Sequence, residues 1–60
     1  MWIYSKLSGV INTEQVSRFT ETQFGTNAHF KNYVFLISDK HVLATIVDAL
    51  KSGCDFLEVE

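Results

Sequence analysis

The chain has one cysteine, three isolated glycines, five scattered cations and no apolar run longer than five residues. Each shortage excludes something. Cys54 alone cannot form an intrachain disulfide, and with only His29 and His41 far from it in sequence it does not complete a metal-ligand motif. Gly9, Gly25 and Gly53 stand singly as turn or cap residues, so there is no glycine-rich loop to cradle a phosphate. Lys6, Arg18, Lys31, Lys40 and Lys51 form no cluster, which leaves nucleic-acid binding through backbone phosphates little to stand on. The longest apolar run, Tyr33 to Ile37, is far too short to span a bilayer. Met1 is followed by strand-like residues rather than a secretory apolar segment. The cytoplasm is therefore the expected compartment, and a free thiol suits its reducing conditions.

What is present is a chain of 60 residues, 47% hydrophobic and 13% aromatic, with a formal net charge of -2. That length makes a single domain, 1–60. A chain this short buries only about 60% of its unfolded surface. Such scaffolds usually rely on a disulfide, a metal or a partner subunit. With the first two set aside, association remains, and a homodimer is expected. The charge is too small for a strong nucleic-acid mimic, and Asp55, Glu58 and Glu60 read as a solvated acidic stretch.

The clearest local pattern runs from Ser38 to Glu60. Ser38-Asp39 reads as a helix start. Val42, Leu43, Ile46, Val47, Ala49 and Leu50 fall within an arc of roughly 160° at helical spacing, with Lys40, His41, Thr45, Asp48 and Lys51 on the rest. Asp39 in the first turn and Lys51 in the last suit the helix dipole. Gly53 stands where a left-handed C-terminal cap is expected. Cys54 to Val59 then runs on extended, with Leu57 and Val59 on one side and Phe56 and Glu58 on the other.

Three strands precede the helix. Trp2 to Leu7 alternates, with Trp2, Tyr4 and Lys6 opposite Ile3, Ser5 and Leu7, and Ser8-Gly9 is a turn. Asn12–Gln15 reads as one capped turn feeding a strand from Val16 to Gln23. A longer helix from Thr13 to Gln23 is the competing reading, weakened by Val16, Phe19, Thr20 and Thr22. Gly25-Thr26-Asn27 is a further turn. Phe30 to Ile37 reads as a central strand with both faces covered, because Tyr33 to Ile37 is apolar without alternation. The expected fold is α+β, ordered β-β-β-α-β: a three-stranded antiparallel meander, one helix in the C-terminal half packed on one sheet face, and a short fourth strand. That strand returns parallel beside the first or third strand by a right-handed crossover.

The candidate chemistry is thin. Ser38-Asp39-Lys40-His41 holds the residue types of a hydrolase triad, but triad members converge from separate elements. Ser38 and Asp39 are better read as helix caps. Cys54 reads as a small buried hydrophobe rather than a nucleophile. His29 lies near a turn and His41 on the polar side of the helix, and both read as surface histidines. The carboxylates cannot be paired without a cleft, and a chain of this size has little room for one. No catalytic residue, metal site or cofactor is expected.

Ile11-Asn12 followed by Val16, together with Ala49-Leu50-Lys51-Ser52-Gly53 and Phe56, resembles a loose set of small bacterial and phage-encoded proteins. These carry I-N-x-x-x-V near the start and A-L-x-x-G-x-x-F near the end. The chain lacks the Asp-Gly hairpin and longer loop that many of them have before the helix. The set has no agreed activity, so the resemblance implies only context: a small accessory protein of a bacterium or its phage.

One helix can cover only one face of the sheet, and alternation sends half of each strand to the other. Trp2, Tyr4, Tyr33 and Phe35 are the candidate interaction residues, and an uncovered face or an edge strand is the expected homodimer or partner site. The expected function is a non-catalytic protein-interaction, accessory or inhibitor protein of phage or mobile-element type, with a host protein as a candidate partner. The alternatives are a metal- or thiol-dependent enzyme or regulator using His29, His41 or Cys54, and a nucleic-acid-binding module that stacks bases on the aromatic face.

Overall fold

The computed structural model describes residues 1–60. The order is β1 Trp2–Ser5, β2 Gly9–Asn12, a 3-10 turn Thr13–Gln15, β3 Arg18–Thr22, β4 Gly25–His29, β5 Val34–Ser38, α1 Leu43–Lys51 and β6 Phe56–Glu58. The chain is α+β, with an antiparallel three-stranded meander, one helix and a last short strand, as its periodicities indicate. Asn12 accepts from the Glu14 amide at 3.0 Å, so the segment after it is a capped turn followed by a strand and not a long helix.

Two further strands, β2 and β4, form where turns were expected. A three-residue loop closes the β1–β2 hairpin, and Gly9 follows it at φ 69°, the left-handed conformation such loops favour. β1 therefore ends at Ser5 rather than Leu7, and Val10–Asn12 pair back onto it. Gly25 likewise opens β4, after the two-residue Gln23-Phe24 loop, with Thr22 Oγ1 accepting from the Phe24 amide at 3.1 Å.

These additions divide the strands into two sheets. One has the order β2-β1-β6, with β1 antiparallel to β2 and parallel to β6. The other is the antiparallel meander β3-β4-β5. The last strand thus lies beside the first. Ile3 from β1, Ala28 from β4, Ile37 from β5, Ile46 from α1 and Val59 just past β6 make the buried core, with Phe19, Ile11 and Leu57 packed around it.

The apolar run Tyr33–Ile37 is not the central, doubly covered strand that its composition suggests. It forms an edge strand, and Tyr33, Val34 and Phe35 are exposed. The cause is β4, which takes the central place in its sheet. Opposite Asn27 and Thr26 stand Leu36 and Ser38, so Ile37 is the extra residue of a bulge. The bulge breaks the alternation and lets Ile37 and Ser38 both be buried.

The helix also starts later than Ser38-Asp39 suggests. Its N-cap is Val42, which makes no side-chain cap bond, so Ser38 and Asp39 are not its caps. Ser38 is buried and occupied elsewhere: its Oγ accepts from the Lys40 amide at 3.0 Å and donates to the Glu60 carbonyl. Thr26, reaching across from β4, serves the helix entry. Its hydroxyl accepts from the Val42 amide and donates to the Lys40 carbonyl, each at 2.9 Å. At the other end the amides of Gly53 and Cys54 bond the carbonyls of Leu50 and Ala49, with Gly53 at φ 72°. That is the paired termination a C-terminal glycine allows.

Candidate interaction surface

Alternation along β1 sends Ile3 and Ser5 inward and Trp2 and Tyr4 outward. Strand pairing completes the outer face. Trp2 stands beside Phe56 of β6, and Tyr4 beside Val10 of β2. Trp2, Val10 and Phe56 each leave half or more of their surface in water, and Tyr4 about a third. Glu58 flanks Tyr4 and brings a carboxylate to the margin. Of these residues, Val10 and Phe56 do not stand out in the sequence. The alternation of Phe56 with Leu57 carried the signal for one, and following the Ser8-Gly9 turn with a strand that pairs back onto the first would have given the other.

Tyr33 and Phe35 are exposed too, but the structure does not join them to Trp2 and Tyr4. Phe35 belongs to β5 of the other sheet and Tyr33 lies just before that strand, and the two border a small groove of about 120 Å³ with Ser8, Ile11 and Phe30. The Phe30 and Tyr33 rings stack there at 4.8 Å between centroids. Across β3 and β4 the outer face of this second sheet is polar. His29 shares a 2.7 Å hydrogen bond with the Thr20 hydroxyl, beside Arg18 and Asn27.

The residues considered for chemistry are held apart by other tasks. His41 lies before the helix rather than on its polar side. Its Nε2 is 2.9 Å from the Thr22 carbonyl, which can only accept, so that nitrogen carries the proton. Cys54 is exposed rather than buried, because the chain reversal at Gly53 holds its amide to the helix end while its side chain faces water. No three His, Cys, Asp or Glu side chains are grouped to hold a metal ion. The largest concavity, about 540 Å³, lies at the end of β1 and is lined in part by Lys6, Asp39, Glu58 and Glu60. It holds carboxylates and an amine but no serine, cysteine or histidine. No helix is long and apolar enough to cross a membrane.

No protein-family model, curated protein or solved structure matches the chain.

Proposed function

We propose that this protein is a non-catalytic interaction protein, dimeric in solution, that presents the outer face of β2-β1-β6 to a protein partner. It fits an accessory or inhibitor role of the kind encoded by phages and mobile elements, working in the cytoplasm. The observation that carries this reading is the contiguous Trp2–Phe56 and Tyr4–Val10 surface, which is apolar and aromatic yet left in water. Isolated exposed apolar residues are ordinary, but a contiguous group on one face usually marks a binding surface. Trp and Tyr are also the residues that most often dominate protein interfaces. Glu58 beside Tyr4 favours a protein over a nucleic acid, since a carboxylate there repels phosphates.

Affinity capture from host extract tests this with three baits: the native chain, the Trp2→Ser/Phe56→Ser double variant and His41→Ala. The expected result is one stoichiometric protein held by the native chain and by His41→Ala, and lost from the double variant. Equal capture by the double variant overturns the reading. So does retention of an oligonucleotide that falls steeply with salt, or a function abolished by thiol alkylation.

A further inference from the structure

We propose that two copies of this chain join through β5, edge to edge and antiparallel, so that two β3-β4-β5 meanders become one continuous six-stranded sheet. The inference deepens the reading of the protein as a dimer. It leaves the Trp2–Phe56 face free for a different partner.

An edge strand differs from an apolar face in that its main chain dictates what can cover it. β5 ends its sheet, and no turn, cap or side-chain hydrogen bond reaches Val34 or Leu36. The Phe30 amide donates to the Tyr33 carbonyl at 2.8 Å, so the Tyr33 main chain points towards β4. Alternation then turns Phe35 towards β4 as well and points the amides and carbonyls of Val34 and Leu36 outward. Two donors and two acceptors therefore face water in the spacing of a strand partner. An extended strand satisfies all four, and a helix or a small molecule does not.

A second β5 fits because the arrangement is its own complement. With a two-fold axis through Phe35, Val34 of each copy faces Leu36 of the other, giving four main-chain hydrogen bonds. The two Phe35 residues then form a directly opposed non-hydrogen-bonded pair, the kind in which side chains approach most closely, at about 4.5 Å between Cα atoms. Phe35 is 41% exposed and would be covered by this contact.

The other edges are defended in ways β5 is not. β3 carries Arg18 and Glu21, and α1 lies against it. β6 is three residues long and carries Glu58. β2 begins at a left-handed glycine and runs directly into the 3-10 turn. From Val34 to Ser38 β5 has no charge and no proline, two of the usual devices against edge pairing, and its one bulge, at Ile37, lies past the Val34–Leu36 stretch that pairs.

Sedimentation equilibrium across a wide concentration range, with hydrogen exchange read residue by residue, tests the proposal. The native chain should dimerise, and the Val34 and Leu36 amides should gain protection as concentration rises. Val34→Lys should raise the dimer dissociation constant at least about tenfold with the fold intact, since a charge on an edge strand opposes pairing. Val34→Pro should do the same by deleting an outward donor that no bond within the sheet uses. Should the proline variant not fold, the lysine variant and the native exchange pattern still decide. A dimer indifferent to Val34→Lys but dissolved by Trp2→Ser/Phe56→Ser overturns β5 pairing and leaves the dimeric interaction protein standing. A native chain that stays monomeric at millimolar concentration overturns both.

Discussion

The two sheets have three strands each and differ in almost everything else. The β3-β4-β5 sheet is a continuous run, residues 18–38, closed by short loops. The β2-β1-β6 sheet takes two strands from the start of the chain and recovers the third only after the helix, 51 residues past Ser5. Their outer faces differ as well. The continuous sheet turns Thr20, Asn27 and His29 outward, already bonded or half-buried, and its apolar exposure lies along the β5 edge and at Phe24 in the β3–β4 loop. The discontinuous sheet turns Trp2, Tyr4, Val10 and Phe56 outward. One sheet is thus open to partners at an edge and the other across a face. Alternation fixes which side chains share a face, but only strand pairing decides which residues stand side by side on it.

The sheets also differ in how tightly they are tied to the rest of the molecule, and substitution at their glycines tests this most severely. Gly25 sits at φ 135°, and a Cβ added there would overlap the Ser38 carbonyl oxygen and come within 2.8 Å of the Asp39 Cα. Both are backbone atoms of the segment that carries the chain from β5 to the helix, so neither can move aside alone. Gly25→Ala should cost at least about 3 kcal/mol, from forbidden backbone geometry together with overpacking. Urea denaturation measures it. A loss below about 1 kcal/mol would mean that the two segments do not approach so closely.

Thr26, the next residue, is expected to have the second largest effect. It is fully buried, and its hydroxyl joins β4 to the Lys40 carbonyl and the Val42 amide. Thr26→Val keeps the shape and leaves both groups without that partner. The expected loss is about 2 kcal/mol, the usual cost of stranding buried polar groups. Thr26→Ser should recover most of it. If valine is tolerated as well as serine, the helix entry does not depend on this hydroxyl.

The same junction explains what could be read from the sequence and what could not. The helix, the Gly53 stop, the Asn12 turn and the inward Ile3, Leu57 and Val59 follow from spacing within one segment and are present, although of the apolar stripe only Ile46 and Ala49 are buried while Val47 and Leu50 stay exposed. The Thr26 bond to the helix entry spans 14 and 16 residues, and the Ser38 bond to Glu60 spans 22. No local pattern encodes such partners. Ser38 and Asp39 match the preferred residue types of a helix cap, yet a distant threonine holds the entry. β2 and β4 were hidden for another reason. Each opens on a glycine, which from sequence alone signals interruption, whereas here it admits the chain to a strand. Trp2 and Tyr4 were legible as outward-facing because alternation is local. That they meet Val10 and Phe56, and not Tyr33 and Phe35, depends on which sheet each strand joins.

The mildest substitution sharpens the contrast between the sheets. Gly9 has a left-handed φ of 69°, but a Cβ there would meet nothing within 4 Å. Gly9→Ala therefore carries only the intrinsic penalty of a left-handed alanine, about 1 kcal/mol, with no packing term. Gly9→Asn should cost less still, because its short polar side chain tolerates that conformation. Urea denaturation of both variants beside Gly25→Ala compares two glycines that differ twice over: Gly9 is left-handed in open space, whereas Gly25, at φ 135°, lies outside the left-handed helical region and is crowded by another segment. If Gly9→Ala destabilises as much as Gly25→Ala, the close approach of Ser38 and Asp39 adds nothing to the cost at Gly25. The β1–β2 hairpin would then be as strongly constrained as the junction at Thr26, and the outer face it carries would be held as firmly as the core.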